Sequence, residues 1–97
     1  MMRLRDRLLE LREDIRRAAA ENGVRDVRVF GSVARGEERD GSDVDFLVAV
    51  EPGRSLLDLA RLELRLEQLL GRPVDVVTEA GLRDAVRTAA LREAIPV

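Results

Sequence analysis

Two short motifs in this 97-residue chain carry groups that can hold a metal-bound phosphate. Gly31 and Ser32 form the first motif, and ten residues later Asp43 and Asp45 form an Asp-x-Asp pair. Because side chains alternate along a strand, two acids one residue apart point to the same face. Ionised carboxylates this close repel each other, and a Mg²⁺ ion bound to both removes the repulsion. The pair therefore predicts a site for Mg²⁺ or Mn²⁺ with oxygen ligands.

The Gly-Ser step predicts a place where the backbone approaches a phosphate closely. Gly31 permits a sharp turn after a strand, and Ser32 adds a small hydroxyl. Amide groups at the start of a following helical turn can also face a phosphate. Arg35 is a candidate forked donor to the same phosphates, and an ordinary surface arginine is an equally good interpretation of it.

A third acid, Asp75, stands in the short apolar segment 74–77. An isolated carboxylate in such a segment is expensive to bury. If this strand lies beside the one that carries Asp43 and Asp45, the third acid joins the pair. It then binds a second metal ion or takes a proton from an acceptor hydroxyl. A plain strand-edge acid is the alternative.

Composition excludes several other kinds of site. All 17 basic residues are Arg, and the chain has neither His nor Cys, which excludes a catalytic lysine, a histidine base, a disulfide and a cysteine-type zinc site. The formal net charge of −2 predicts no direct binding of nucleic acid. No apolar run approaches membrane-spanning length, and the first residues lack the apolar core of a signal peptide. We therefore expect a cytoplasmic protein without a membrane partner.

Hydrophobic periodicity and turn signals predict the elements that position these residues. The expected order is a helix over 2–21, a strand over 24–30, a helical turn over 33–35, a polar loop over 37–42, a strand over 43–50, a helix between 55 and 71, a strand over 74–77 and a last helix over 78–94. A capping box of Ser55 and Asp58 opens the long central helix, and Thr78 is expected to cap the last one. This order predicts one α/β (α+β) domain over residues 1–97, a small sheet packed with helices.

The segment 31–48 resembles the minimal nucleotidyltransferases of the DNA polymerase β-like superfamily. Their signature of Gly-Ser, ten residues and Asp-x-Asp is matched, and Ala34-Arg35-Gly36 and Ser42 fit as well. Further along, the segment 71–82 resembles the third strand of the family, and the segment 91–97 resembles its usual ending. The resemblance therefore extends over essentially the whole chain.

The resemblance implies a polymerase β-like palm with a small mixed sheet, an enzyme that transfers a nucleoside monophosphate from a nucleoside triphosphate. It assigns the phosphates to Gly31, Ser32, Arg35 and Ser42. It assigns the metal, one Mg²⁺ ion or two, to Asp43, Asp45 and Asp75, and makes these acids the catalytic residues.

Many members of the family are encoded beside a HEPN-domain protein, typically an RNase toxin. The nucleotidyltransferase acts as the antitoxin, in some systems by adenylylating a tyrosine of the toxin. Since this chain contains no Tyr, any transfer to tyrosine must act on another molecule. We expect transfer of AMP from ATP to a hydroxyl of a HEPN-type partner.

Two other interpretations stay open at this point. One is a catalytically silent antitoxin that neutralises its partner by occlusion. The other is transfer to a small molecule, for which a chain of this length is short. The apolar faces of the first and last helices suit either self-association or partner docking.

Overall fold

The computed structural model describes residues 3–39 and 41–97. In chain order these residues form α1 (Leu4–Glu10), α2 (Arg12–Glu21), β1 (Val24–Phe30), α3 (Ser32–Arg35), β2 (Val44–Val50), α4 (Leu56–Leu70), β3 (Val74–Thr78), a 3₁₀ turn (Glu79–Gly81), α5 (Asp84–Glu93) and β4 (Ile95–Pro96). The predicted mixture of helices with a small sheet is confirmed.

The four strands form one mixed sheet in the order β3-β2-β1-β4. β1 pairs antiparallel with β2 and with β4, whereas β2 and β3 run parallel. The pairing of β1 with β2 shifts register between Arg25 and Arg28, where Asp26 has φ 53°. This is a β-bulge, and aspartate tolerates the left-handed backbone conformation better than most residues.

One face of the sheet packs on α2 and α4 and holds the main core. Phe46, Ile15, Leu62 and Leu66 are completely buried there. In β2, Phe46 and its neighbours Val44 and Val48 belong to this core, so Asp45 and Leu47 must face the other side. Helices α2 and α4 thus cover one face, and the predicted acids lie on the opposite one.

The predicted first helix is two helices that meet at Leu11. Amide hydrogen bonds from Leu11 to Arg7 and from Ile15 to Leu11 continue through the junction. Leu11 leaves the helical conformation, with φ −91° and ψ 7°, and the two helices have different neighbours: α1 packs against α3, whereas α2 packs against β1 and α4. The predicted start at Met2 lies outside the described residues.

The end of the chain also differs from its prediction. Thr78 caps only the 3₁₀ turn, through a 3.2 Å hydrogen bond from the Gly81 amide to its hydroxyl. Leu82 and Arg83 are extended, so α5 begins later than predicted, at Asp84. Glycine is a poor helix former, which favours this interruption. The short strand β4 was not predicted, because two residues carry no periodic signal.

The capping box at Ser55 and Asp58 is confirmed, but Leu56 is not part of the buried stripe. Leu56 is 82% exposed, and Leu57 and Leu64 are more than half exposed as well. The first and last helices also expose apolar side chains, at Leu9, Val86 and Leu91.

In residues 3–39 and 41–97, every helix is too short or too polar to span a lipid bilayer.

Candidate functional site

Asp45 and Asp75 stand side by side on neighbouring strands. The parallel pairing of β2 with β3 places the two residues directly opposite each other. Since paired residues of adjacent strands point to the same face, the two carboxylates share the face that is not covered by α2 and α4. The sequence predicts that Asp75 joins the Asp-x-Asp pair if the two strands are adjacent. They are adjacent, so this condition is met.

Asp43 lies one residue before β2 and is exposed, as is Asp75. Asp45 is partly buried, and Leu47, two residues further along the same face, is completely buried. The acids therefore occupy the open end of this face, and the apolar residues lie deeper, as the alternation of the sequence predicts.

Gly31 packs directly against Asp45 from the β1 side of β2, whereas Asp75 lies on the β3 side. Phe30, the last residue of β1, is paired with Asp45, and Gly31 follows with φ 73° and ψ −150°. A β-carbon at this glycine would lie 2.5 Å from Oδ2 of Asp45. Both the positive φ and the lack of room for a β-carbon therefore require glycine at position 31. The position of the turn and the position of the Asp45 side chain depend on each other.

The electrostatics of Asp45 reflect this crowding. Burial raises the pKa of Asp45, and the negative charges of Asp75 and then Asp43 raise it further. The positive charge of Arg35 lowers the pKa of the same carboxyl. Three carboxylates thus interact through space, with Arg35 as the opposing charge.

The donor set fits Mg²⁺ in its chemistry. Carboxylate oxygens are the ligands that Mg²⁺ prefers, and the mutual repulsion at Asp45 is what a bound cation would relieve. Among residues 3–39 and 41–97, no three acidic side chains are close enough together to enclose a metal ion. Mg²⁺ commonly takes only one or two protein carboxylates, and phosphates and waters supply the other ligands.

The two predicted serines have different surroundings. Ser32 opens α3 directly after Gly31, at the edge of the acidic cluster. The Ser42 hydroxyl instead accepts a 2.8 Å hydrogen bond from the Arg39 amide, and the Ser42 amide donates to the Arg39 carbonyl at 2.9 Å. Ser42 thus closes the turn that leads into Asp43. In this structure its hydroxyl shapes the loop.

Arg72 is a residue that sequence reasoning missed. Its Nη1 donates to the carbonyls of Arg39, at 3.3 Å, and Ser42, at 3.2 Å. The side chain therefore ties the segment that leads into β3 to the loop before Asp43. Nothing in the local sequence marks this arginine, because its partners lie about thirty positions away.

Two glutamates of α4 hold β3 from its outer edge and were also missed. Oε2 of Glu67 accepts from the Val74 amide and Oε2 of Glu63 from the Val76 amide, both at 3.2 Å. These two amides flank Asp75. Four-residue spacing on α4 is the only sequence signal for the pair, and it is common on helices.

Arg35 lies at the end of α3 and is bound by two carboxylates. Its Nη1 donates to both oxygens of Glu93, at 2.9 and 2.8 Å, and its Nε donates to Glu37 at 2.9 Å. The hydrogen bond with Glu93 is the main cause of a raised pKa of Arg35. The predicted phosphate donor is therefore near the acids but paired within the protein.

Comparison with protein families gives a match that spans most of the chain. The Nucleotidyltransferase domain family matches residues 8–97. The protein adenylyltransferase MntA of Thermococcus cleftensis is 47% identical over 75 residues, which cover 77% of this chain and 76% of MntA. A candidate protein adenylyltransferase of Methanocaldococcus jannaschii is 40% identical over 88 residues, which cover 91% of this chain and 95% of that protein.

Two solved structures share the fold. A structure described as a candidate minimal nucleotidyltransferase has a TM-score of 0.86 and 55% sequence identity, and the match covers 99% of this chain and 97% of the other. A toxin–antitoxin structure solved with AMP-PNP has a TM-score of 0.68 and 18% identity, covering 95% of this chain and 70% of the other. At that identity the second match bears on the fold alone.

Proposed function

This chain belongs to the nucleotidyltransferase domain family, and from this premise we propose that it is a Mg²⁺-dependent protein adenylyltransferase. It moves AMP from ATP to a hydroxyl of a partner protein. The observation that carries the proposal is the alignment of Asp45 with Asp75 on adjacent strands, with Gly31 against the first of them. The naming of a 47% identical relative as a protein adenylyltransferase supports the same activity. The sequence resemblance to minimal nucleotidyltransferases is confirmed.

The nucleotide lies at the open end of the sheet face that carries the acids. Gly31 and Ser32 hold the β- and γ-phosphates, with Arg35 as a further donor. Ser42 contributes by fixing the loop that positions Asp43, through its hydrogen bond from the Arg39 amide. We infer that residues 1–97 make up a single nucleotidyltransferase domain.

Asp43, Asp45 and Asp75 would each supply a carboxylate ligand to one Mg²⁺ ion or two, and phosphate oxygens and waters would supply the remaining ligands of each ion. When bound, the metal neutralises charge that develops on the phosphate oxygens and on the attacking and leaving oxygens. The fit rests on the oxygen-only donor set and on the repulsion that raises the pKa of Asp45.

The reaction is an in-line displacement at the α-phosphorus. The acceptor hydroxyl oxygen forms a bond to the α-phosphorus, and the bond from that phosphorus to the oxygen bridging to the β-phosphorus breaks. AMP becomes esterified to the acceptor, and pyrophosphate leaves with the bonding electron pair. Asp75, exposed beside Asp45, takes the hydroxyl proton.

The acceptor is a HEPN-type toxin, and its modified residue is a tyrosine, so the chain acts as an antitoxin. The family resemblance supplies the identity of this partner and of its residue. The chain itself has no Tyr, and its apolar surface at Leu56, Leu57 and Leu64 gives a partner or a second copy a place to dock.

Label transfer from α-³²P-ATP tests the proposal. The chain is incubated with Mg²⁺ and labelled ATP, with and without the protein encoded by the neighbouring gene. We expect label on that protein and a loss of at least about 100-fold in Asp43→Asn, because a metal ligand is removed. Circular dichroism should show that this variant folds, since Asp43 is exposed.

The competing function is a catalytically silent antitoxin that occludes its partner. It predicts a stable complex without any labelled product, and an Asp43→Asn variant that still protects cells from the toxin. Full transfer by Asp43→Asn would instead contradict the assignment of the metal site.

A further inference from the structure

Arg35, the arginine predicted to donate hydrogen bonds to the phosphates, forms ion pairs with two glutamates of its own chain. Its guanidinium uses Nη1 for both oxygens of Glu93 and Nε for one oxygen of Glu37. Guanidinium groups bind carboxylates and phosphates with the same forked set of hydrogens. Two of the three guanidinium nitrogens of Arg35 therefore already donate to carboxylates, and neither forked pair of its hydrogens is free for a phosphate.

We propose that Glu93 competes with the triphosphate of the nucleotide for Arg35. Nucleotide binding then requires Arg35 to exchange a carboxylate of its own chain for a phosphate. This inference rests on the proposed function, since it concerns the same phosphate site. It makes Glu93 a residue that sets nucleotide affinity without contacting the reacting atoms.

The position of the ion pair allows this exchange. The side chains of Arg35 and Glu93 are 43% and 29% exposed, so water reaches both groups. Ion pairs at such exposed positions contribute little to stability, because solvent screens the charges. Arg35 is also close enough to Asp45 to lower the pKa of that carboxyl, so it borders the acidic cluster. Breaking this ion pair should therefore cost little free energy.

The exchange also links the nucleotide to α5. Glu93 is the last residue of this helix, and in residues 3–39 and 41–97 it is the only α5 side chain that hydrogen-bonds to another element. The other side-chain hydrogen bonds of α5, those of Arg87 and Thr88 to Asp84, stay within the helix. Release of Glu93 should therefore loosen the end of α5.

Calorimetric titration with α,β-methylene ATP and Mg²⁺ measures the competition directly. This analogue cannot donate AMP, so no partner protein is needed. We expect Glu93→Gln to lower the Kd by roughly threefold to fivefold, which is the range of an exposed ion pair. The matched control is Asp84→Asn, which removes one negative charge from the same helix without touching Arg35.

The Arg35→Gln background separates competition from general repulsion of the phosphates. If Glu93 acts through Arg35, Glu93→Gln should leave the Kd unchanged in Arg35→Gln. An equal gain in both backgrounds would overturn the inference, as would a higher or unchanged Kd in the single variant. A higher Kd would mean that Glu93 positions Arg35 for the phosphate.

Hydrogen exchange gives a second readout. Nucleotide should speed amide exchange near the end of α5 in the unmodified chain, and Glu93→Gln should show fast exchange already without nucleotide. Absence of any nucleotide binding by the unmodified chain would contradict the proposed function itself. Unchanged affinity in Glu93→Gln contradicts only the role of Glu93.

Discussion

At the scale of single residues, the site depends on a contact that only glycine permits. Gly31 occupies a backbone region that is nearly closed to other residues, and its open side faces Oδ2 of Asp45. The position of the Gly31 turn and the position of Asp45 therefore depend on the same steric fit.

We expect Gly31→Ala to lower the free energy of unfolding by about 1–3 kcal/mol through backbone strain, with a further cost from the clash. Transfer of AMP should be lost, since Asp45 must move. Gly53→Ala is the matched control, because Gly53 also has a positive φ, 86°, but has no neighbour within 4 Å. Denaturant titration and label transfer measure the two effects.

A double-mutant cycle isolates the clash. In an Asp45→Ala background, Gly31→Ala should lower the free energy of unfolding less than it does in the unmodified chain. The difference between the two losses should be about 1 kcal/mol. If the two substitutions lower the free energy of unfolding additively, or if Gly31→Ala keeps full activity, then the proposed effect of the Gly31–Asp45 contact is wrong.

Asp45→Asn should be more stable than the unmodified chain at pH 7.5, measured in EDTA. Burial and the charges of Asp75 and Asp43 raise the pKa of Asp45 in the folded state. Its ionised form is therefore unfavourable in the fold, and the cost appears as pH rises from the unfolded pKa of about 3.9 through the folded one. The gain in Tm should vanish below about pH 4. A lower Tm at pH 7.5 would show that Asp45 makes a net favourable contact, and Asp84→Asn controls for surface charge.

At the scale of elements, β3 is an edge strand whose outer amides are capped by a helix. Glu67 and Glu63 accept hydrogen bonds from the amides on either side of Asp75. The caps hold the strand in the register that aligns Asp75 with Asp45, and they also deny this edge to another strand.

Hydrogen exchange can resolve the two caps separately. Glu67→Ala should speed exchange of the Val74 amide more than that of Val76, and Glu63→Ala should do the reverse. Each substitution should lower the free energy of unfolding by about 1 kcal/mol. This is the lower end of the cost of an unsatisfied amide, because water reaches this edge of the sheet. Glu67→Gln keeps an acceptor oxygen and should behave like the unmodified chain. Equal effects on both amides would argue for general loosening of the strand.

The elements with strong local signals were predictable from sequence. The capping box at Ser55, the stop at Gly71 and the alternation in β2 depend on neighbours in the chain, and each was placed correctly. The break at Leu11, the strand β4 and the caps on β3 depend on contacts with distant elements. Such contacts leave no mark in a short window of sequence.

The same division holds for the site. That Asp75 lies beside Asp45 was foreseeable because acids in apolar strands are unusual, whereas the roles that the resemblance assigns to these acids stay predictions. Arg35 pairs with Glu93, which lies far away in the chain, so the sequence could not predict that Arg35 is bound by a carboxylate. Arg72 escaped notice for the same reason.

At the scale of the whole molecule, the site lies at the exposed end of one sheet face. Asp43 and Asp75 are exposed, and the large core lies on the opposite face. A domain of this size has little chain left for an acceptor pocket of its own. Under the proposed function, we expect the partner protein to complete the acceptor side of the site.

The parallel pairing of β2 with β3 has a consequence for synthesis on the ribosome. Asp45 emerges with β2, but its companion Asp75 follows only after all of α4. Parallel strands need such a crossover before they can pair, and non-local pairing forms late in folding. A nascent or truncated chain that ends within α4 therefore carries Asp43 and Asp45 but lacks Asp75. We expect the three acids to come together only after α4 has been synthesised and β3 has paired with β2.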